Sequence, residues 1–392
     1  MRRNPELEAA ILANLDDPRP WAVFADWLQG QGDPWGERIG LELMLASDTR
    51  ASARANVDER LAALDRRHRV EMLGAELATL IDHDEFEQVA TLHWRNGFVL
   101  AAGVGTHDDS EAITPTQVLR ALLASPVACF LQRLTLGITD ASYPTSLASG
   151  VAALSAGPEL ASLRELMLGD FAYPEQCEIS WVSVGDVSAL PAKYPNLRSL
   201  HLCGAAIELG DALVHPKLES LWIETGGLPA RAVRAVGRCQ LPELRRMEVW
   251  LGRNEYGGDG DIDMLAPLFA GEGLAKLEHL ALINSEFQDD IAIALARSPI
   301  LARLTSVALS MGILRDRGGR AILAAADRFR HLSAIDLDFN WLSLAMATRL
   351  EQALPTLRIG ERNEPREHAE DDEDDDDEED DDDFHYYTQV GE

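Results

Sequence analysis

A six-residue phrase with large apolar residues at its first, fourth and sixth places returns eight times along the chain. It reads LQRLTL at 131–136, LRELML at 163–168, LRSLHL at 197–202, LESLWI at 218–223, LRRMEV at 244–249, LEHLAL at 277–282, LTSVAL at 304–309 and LSAIDL at 332–337. Alternation of apolar and polar places predicts a short strand in each, with the fourth and sixth places turned into a core and the third, fifth and seventh turned out. Between phrases, 114–126, 318–331 and 343–355 carry apolar residues at helical spacing. Successive phrases start 21 to 34 residues apart, and the 21-residue step from Leu197 to Leu218 leaves room for a single helical turn or a loop. A leader at 86–105 alternates like a hairpin about Asn96-Gly97, and LRIGE at 357–361 predicts a last short strand.

A period in this range marks stacked units, because one strand-and-helix unit cannot bury its apolar face alone. The phrase resembles the leucine-rich repeat, L-x-x-L-x-L-x-x-N/C-x-L, over roughly residues 86–360. That resemblance implies an α/β fold: a leucine-rich-repeat solenoid with a curved parallel sheet and helices on its convex side. In that family the ninth place holds Asn or Cys, whose side chain bonds neighbouring loop backbones. Here Asn340 alone fits; the place is otherwise Thr139, Phe171, Ala205, Gly226, Gly252, Ser285 and Gly312. Those turns need other partners for their backbone groups.

Residues 1–82 lack the phrase and read as helical. Leu7, Ile11, Leu12 and Leu15 make one apolar stripe, Trp21, Phe24, Ala25 and Leu28 a second, and Ile39, Leu41, Leu43 and Met44 begin a third. From Asp48 to Asp82 the pattern predicts one charged helix with Leu61, Leu64, Val70, Leu73, Leu77 and Leu80 inward, covering the first strand of the repeats. Asn4-Pro5-Glu6-Leu7, Phe24-Ala25-Asp26-Trp27-Leu28 and Gly32-Asp33-Pro34-Trp35-Gly36-Glu37 resemble the repeat-companion domain found in bacteria on the N-terminal side of leucine-rich repeats. The expected organisation is a helical companion and capping domain at 1–82, a repeat array at 83–360 and a disordered acidic tail at 361–392.

Net charge changes the picture at the C-terminus. Of the total of −31, residues 361–392 carry −16, with fourteen consecutive acids from Glu370 to Asp383. Adjacent like charges cannot pack, so this run reads as a solubilising tail, as an arm for a basic partner with Phe384, Tyr386 and Tyr387 as an aromatic anchor, or as a mimic of nucleic acid in a partner's basic groove. The rest of the chain is acidic too, which repels a phosphate backbone and argues against nucleic acid as a partner. No run of 18 apolar residues or leader-like N-terminus is present, and Cys129, Cys177, Cys203 and Cys239 form no C-x-x-C pair. These features predict a cytoplasmic, monomeric protein with free thiols and no membrane contact.

Catalytic signatures are absent: no H-E-x-x-H, G-x-S-x-G, Walker or Rossmann pattern occurs. Asp259, Asp261 and Asp263 alternate like the start of a calcium loop, but Met264 stands at the sixth place and Ala270 at the twelfth. Neither a metal nor a cofactor is expected, and the chain reads as a non-enzymatic interaction protein. Asp26, Asp33 and Glu37 either cap helices and turns or line a small site in the N-terminal domain. The outward strand places offer a binding face instead. Trp222 and Trp250 fall on neighbouring strands, flanked by Met167, His201, Glu224 and Glu248, with Asp336 and Asp338 further along. Tryptophan beside acids suits a basic protein partner with an apolar anchor.

Overall fold

Each of the eight phrases is a strand in a computed structural model that describes residues 1–47, 51–106, 112–142, 144–363 and 386–390, with 51–53 described as backbone only. The fold is mixed α/β, with mostly parallel strands joined by helices and loops. The residues fall into two compact units, Met1–Phe171 with Lys193–Leu197 and Ala172–Ala192 with Arg198–Glu392.

The first unit begins with helices α1 (Pro5–Ala13), α2 (Pro18–Gly30), α3 (Pro34–Ser47), α4 (Ala51–Leu73) and α5 (Ala75–Ile81). Proline opens each of the first three, and Asn4 and Asp17 cap α1 and α2 by accepting from the N–H of Leu7 and Arg19. Strands β1 (Ala90–Arg95) and β2 (Phe98–Val104) form the expected antiparallel hairpin. Its turn places Asn96 and Gly97 at φ 50° and 80°, the left-handed region that Asn-Gly favours. Strands β3 (Arg133–Leu136) and β4 (Glu165–Leu168) then add in parallel, Leu134 opposite Leu166.

Two expectations for this unit need correction. The helix predicted to run to Asp82 ends at Leu73, because Gly74 at φ 79° turns the chain before α5. Val70, expected inward, is 60% exposed, and Met72 is buried in its place. Nor does a long helix do most of the covering. Trp21, Phe24 and Trp35 from α2 and α3 meet Phe98 of β2 and Phe130 in one ring cluster, with centroids 4.2 to 6.1 Å apart. The helices thus share a core with the hairpin.

The second unit holds β5 (Ser183–Asp186), β6 (Ser199–Cys203), β7 (Ala205–Glu208), β8 (Ser220–Glu224), β9 (Arg246–Gly252), β10 (His279–Ser285), β11 (Ser306–Ala308), β12 (Ala334–Asp336) and β13 (Leu357–Arg358). Strands β6, β8 and β9 to β13 lie side by side in parallel, and β5 pairs with β7 separately. One apolar row crosses the main sheet: Leu200, Leu221, Met247, Leu280, Val307 and Ile335 stand opposite one another in turn. These residues and Leu202, Ile223, Val249, Leu282, Leu309 and Leu337 are all 2% exposed or less. The helices predicted from 318–331 and 343–355 form at Asp316–Ala324, Ala326–Phe329 and Leu344–Ala353. The short step after β6 contains β7 and a loop rather than a helical turn.

The C-terminus departs most from expectation. The fourteen acids lie outside the described residues, but Asn363 before them and residues 386–390 after them make defined contacts. Asn363 donates its backbone N–H to the carbonyl of Asn340, and Thr388 and Val390 are buried. A tail unpacked from residue 361 onward is therefore not what forms. Tyr386, Tyr387 and Val390 supply the apolar surface, and Asn284, Met311 and Trp341 supply hydrogen-bond partners.

Candidate functional site

The outward side of β6, β8 and β9 carries a continuous cluster of aromatic and acidic side chains. Register places His201 opposite Trp222, and Trp222 opposite Glu248. The His201 and Trp222 rings lie 6.2 Å apart, and His201 Nε2 is 3.0 Å from Glu224 Oε1. Two residues further along β9, Trp250 donates its indole N–H to Glu248 Oε1 at 3.0 Å. All five side chains are half-buried: held by neighbours, yet open on one side. Beyond Glu248 the row continues with the small residues Ala281 and Ala308, and Ile283 stands opposite Trp250. Two aromatic faces, that of Trp250 with its indole N–H already engaged, can take an apolar side chain, while Glu224 and Glu248 can pair with surrounding Lys or Arg.

The other expected site residues divide. Met167 is half-buried on β4, opposite Thr135, and belongs to the first unit. Asp338 is only 4% exposed: its carboxylate accepts from the Gly360 N–H and pairs with Arg358 Nε at 2.7 Å. It ties two loops together and is not open to a partner. Asp336 is half-buried and accepts from the Asp338 N–H. Burial raises its carboxyl above the usual range, and the Asp338 charge adds to this. The seventh strand place is less open than alternation predicts. Cys203, Ile283 and Ser310 are buried alongside Asp338, while Glu224 and Trp250 keep their openings.

Two of the three N-terminal acids have structural partners. Asp33 accepts from the backbone N–H groups of Trp35 and Arg2, Glu37 pairs with Arg60, and Asp26 points outward on α2. A cavity of about 550 Å³ in the first unit is lined by Arg3, Glu8, Cys129 and Ser162 among others. Burial pushes the Cys129 thiol up to about 12, so this sulfur is no ready nucleophile. Asp259 accepts from the N–H of Ala230, and Asp261 from those of Asp263 and Met264. Asp259 and Asp261 thus bind backbone N–H groups, and no group of three metal-ligating side chains occurs among the described residues. None of the four cysteines is in a disulfide. Among the described residues no helix is long and apolar enough to cross a membrane.

Sequence reasoning missed a second site at the C-terminal ends of β10, β11 and β12. Trp341 donates its indole N–H to the Tyr387 carbonyl at 2.9 Å, and its ring meets those of Tyr386 and Tyr387 edge-on at 5.2 and 5.0 Å. Arg315 lies over the Tyr386 ring at 5.1 Å. The Gln389 N–H donates to the Met311 carbonyl at 2.9 Å. Asn284 donates to the Val390 carbonyl at 2.6 Å and accepts its N–H at 3.0 Å. The available signal was the Tyr-Tyr pair beyond the acids, noted as an anchor but not matched to a receptor.

No protein-family model matches the chain. No curated protein matches it either. Among solved structures, it is similar to a crystal structure of a protein from Bacteroides fragilis, with 28% identity and a TM-score of 0.57 over 65% of this chain and 72% of that one. The likeness agrees with a mixed α/β class.

Proposed function

We propose that the chain is a leucine-rich-repeat scaffold that binds a protein partner without catalysing a reaction. The strands would form the partner-facing side of a solenoid, with the N-terminal helices as its companion and cap. Support for the repeat assignment comes from the shared phase of the eight phrases. Within each unit, equivalent apolar places stand opposite one another on parallel strands. Asn340 also performs the ninth-place role. Buried, it donates to the carbonyls of Leu309, Leu337 and Asp338 and accepts from the N–H groups of Gly312 and Leu314.

The observation that carries the binding reading is the half-open cluster of His201, Trp222, Glu224, Glu248 and Trp250. Trp250, half-buried with its N–H engaged by Glu248, is pre-organised, so little entropy is lost when a partner covers it. The partner would present an apolar anchor ringed by Lys or Arg, in a cytoplasmic setting and to a monomeric chain.

The test is capture from host extract with the intact protein, followed by binding kinetics of Trp222→Ala and Trp250→Ala. Each substitution should weaken binding by about 2 kcal/mol or more, mainly through faster dissociation. Wild-type kinetics in the double variant, with folding intact, would remove this face from consideration.

A further inference from the structure

We propose that the loops following β10, β11 and β12 form a recognition site for an extended peptide, and that the chain's own residues 386–390 occupy it. This goes beyond the tryptophan face and does not rest on it.

The receptor is built from equivalent positions. Asn284, Met311 and Phe339 occupy the eighth place of three successive phrases, and all adopt left-handed backbone, at φ 54°, 64° and 55°. For Met and Phe this conformation is uncommon and strained, so the surrounding fold must hold it. A ladder of hydrogen bonds does so: Asn284, Met311 and Phe339 donate their N–H groups to Ser310, Asp338 and Glu361. The Met311 carbonyl is then available to Gln389, and the Asn284 amide to Val390.

Recognition uses main chain and side chain together. Asn284 reads both backbone groups of Val390, so a ligand must present an extended peptide unit there. Tyr386 contacts Arg315 and Trp341, Tyr387 also meets the Trp341 ring, Thr388 is 3% exposed and Val390 7%, while Gln389 faces outward. These contacts give a ligand pattern of aromatic, aromatic, Thr, any, Val. The segment crosses three successive strand ends, with Tyr387 at Trp341, Gln389 at Met311 and Val390 at Asn284.

The covalent connection favours this occupant. Asn363 is bonded to Phe339 and Asn340, and Tyr387 to the next residue, Trp341. The chain thus leaves and rejoins the same loop, with the acid run between. Such tethering supplies a local ligand concentration on the order of mM, enough to fill a weak site. A competing peptide must displace the tail.

The experiment uses full-length protein and a fluorescent peptide spanning residues 384–392. Wild type should bind it at least tenfold more weakly than Tyr386→Ala/Val390→Asp, in which the tail is released. Adding Asn284→Asp to that variant, which keeps the side-chain size but removes the donor, should abolish binding. Equal binding by wild type and the released variant, or none by either, overturns the proposal. Should the released variant lose its fold, hydrogen exchange on the wild type decides. Protected Gln389 and Val390 amides support docking, and unprotected ones refute it. Protection that appears only with concentration-dependent dimers would assign the site to a second copy's tail and refute occupation by the same chain.

Discussion

Trp35 of α3 and Phe98 of β2 stack with ring centroids 4.2 Å apart and planes 15° from parallel. This pair joins the N-terminal helices to the first hairpin, and Trp21 and Phe130 pack against the same phenyl ring. A boundary at residues 82–83 therefore separates sequence patterns without separating cores.

Removing the shared ring should unsettle both sides together. Phe98 is fully buried, so Phe98→Ala leaves a cavity among three aromatic neighbours and should cost about 3–5 kcal/mol. Chemical denaturation followed by tryptophan fluorescence measures this. A loss below about 1 kcal/mol would mean that the cluster contributes little.

The phrases are legible as strands because a period of two with leucine at fixed places leaves one burial solution, and all eight form. The face they present is legible only in part. Alternation puts the seventh place outward, but it cannot tell that Asp338 will be enclosed by Gly360 and Arg358. The helix break at Gly74 needed its positive φ, which a single glycine in a charged stretch does not announce. The tail site is hardest to see, since Asn284, Met311 and Trp341 are dispersed in sequence and meet Tyr387–Val390 only after folding.

Asn340 should be the most sensitive polar residue of the second unit. It makes five hydrogen bonds within buried loops, linking the turn after β12 to that after β11. Asn340→Ala orphans two N–H groups and the carbonyls of Leu309 and Leu337, while the Asp338 carbonyl keeps the Met311 N–H, and should cost at least about 3 kcal/mol. Ser285→Ala, at the same place of another phrase, removes the acceptor for one N–H, that of Phe287, and should cost about 1 kcal/mol. Similar melting temperatures for the two variants would contradict this ranking.

Two acids should respond to pH with opposite signs. Burial raises the Asp336 carboxyl, so the folded chain holds that proton more tightly than the unfolded chain does. Its contribution is present at low pH and is lost as pH rises through the folded value. Asp336→Asn keeps an oxygen for the Asp338 N–H and should raise the melting temperature at neutral pH. For Glu8, burial acts upward, but bonds from Arg3 and the Asn4 N–H outweigh it and lower the carboxyl. That contribution is present above the unfolded value and is lost as pH falls through the folded one. Glu8→Gln should therefore destabilise at neutral pH, and both differences should shrink by about pH 3. Shifts of the same sign at neutral pH would refute the assignment.

Salt should tighten the tail rather than loosen it. Fourteen consecutive acids separate the anchor at Asn363 from that at Tyr387, and both anchors lie on the loop 339–341. Docking brings the ends of this run together and raises its self-repulsion; an undocked tail relieves it. The screening length falls from about 30 Å at 0.01 M salt to about 10 Å at 0.1 M, so added salt removes a penalty specific to the docked state. Protection of the Gln389 and Val390 amides should accordingly increase with ionic strength, opposite to a contact held by ion pairs. Replacing the acids with Asn and Gln should give strong protection at low salt and remove the dependence. Protection that falls with salt in the wild type would show that attraction between the acid run and the body, not contacts at Asn284 and Trp341, holds the segment in place.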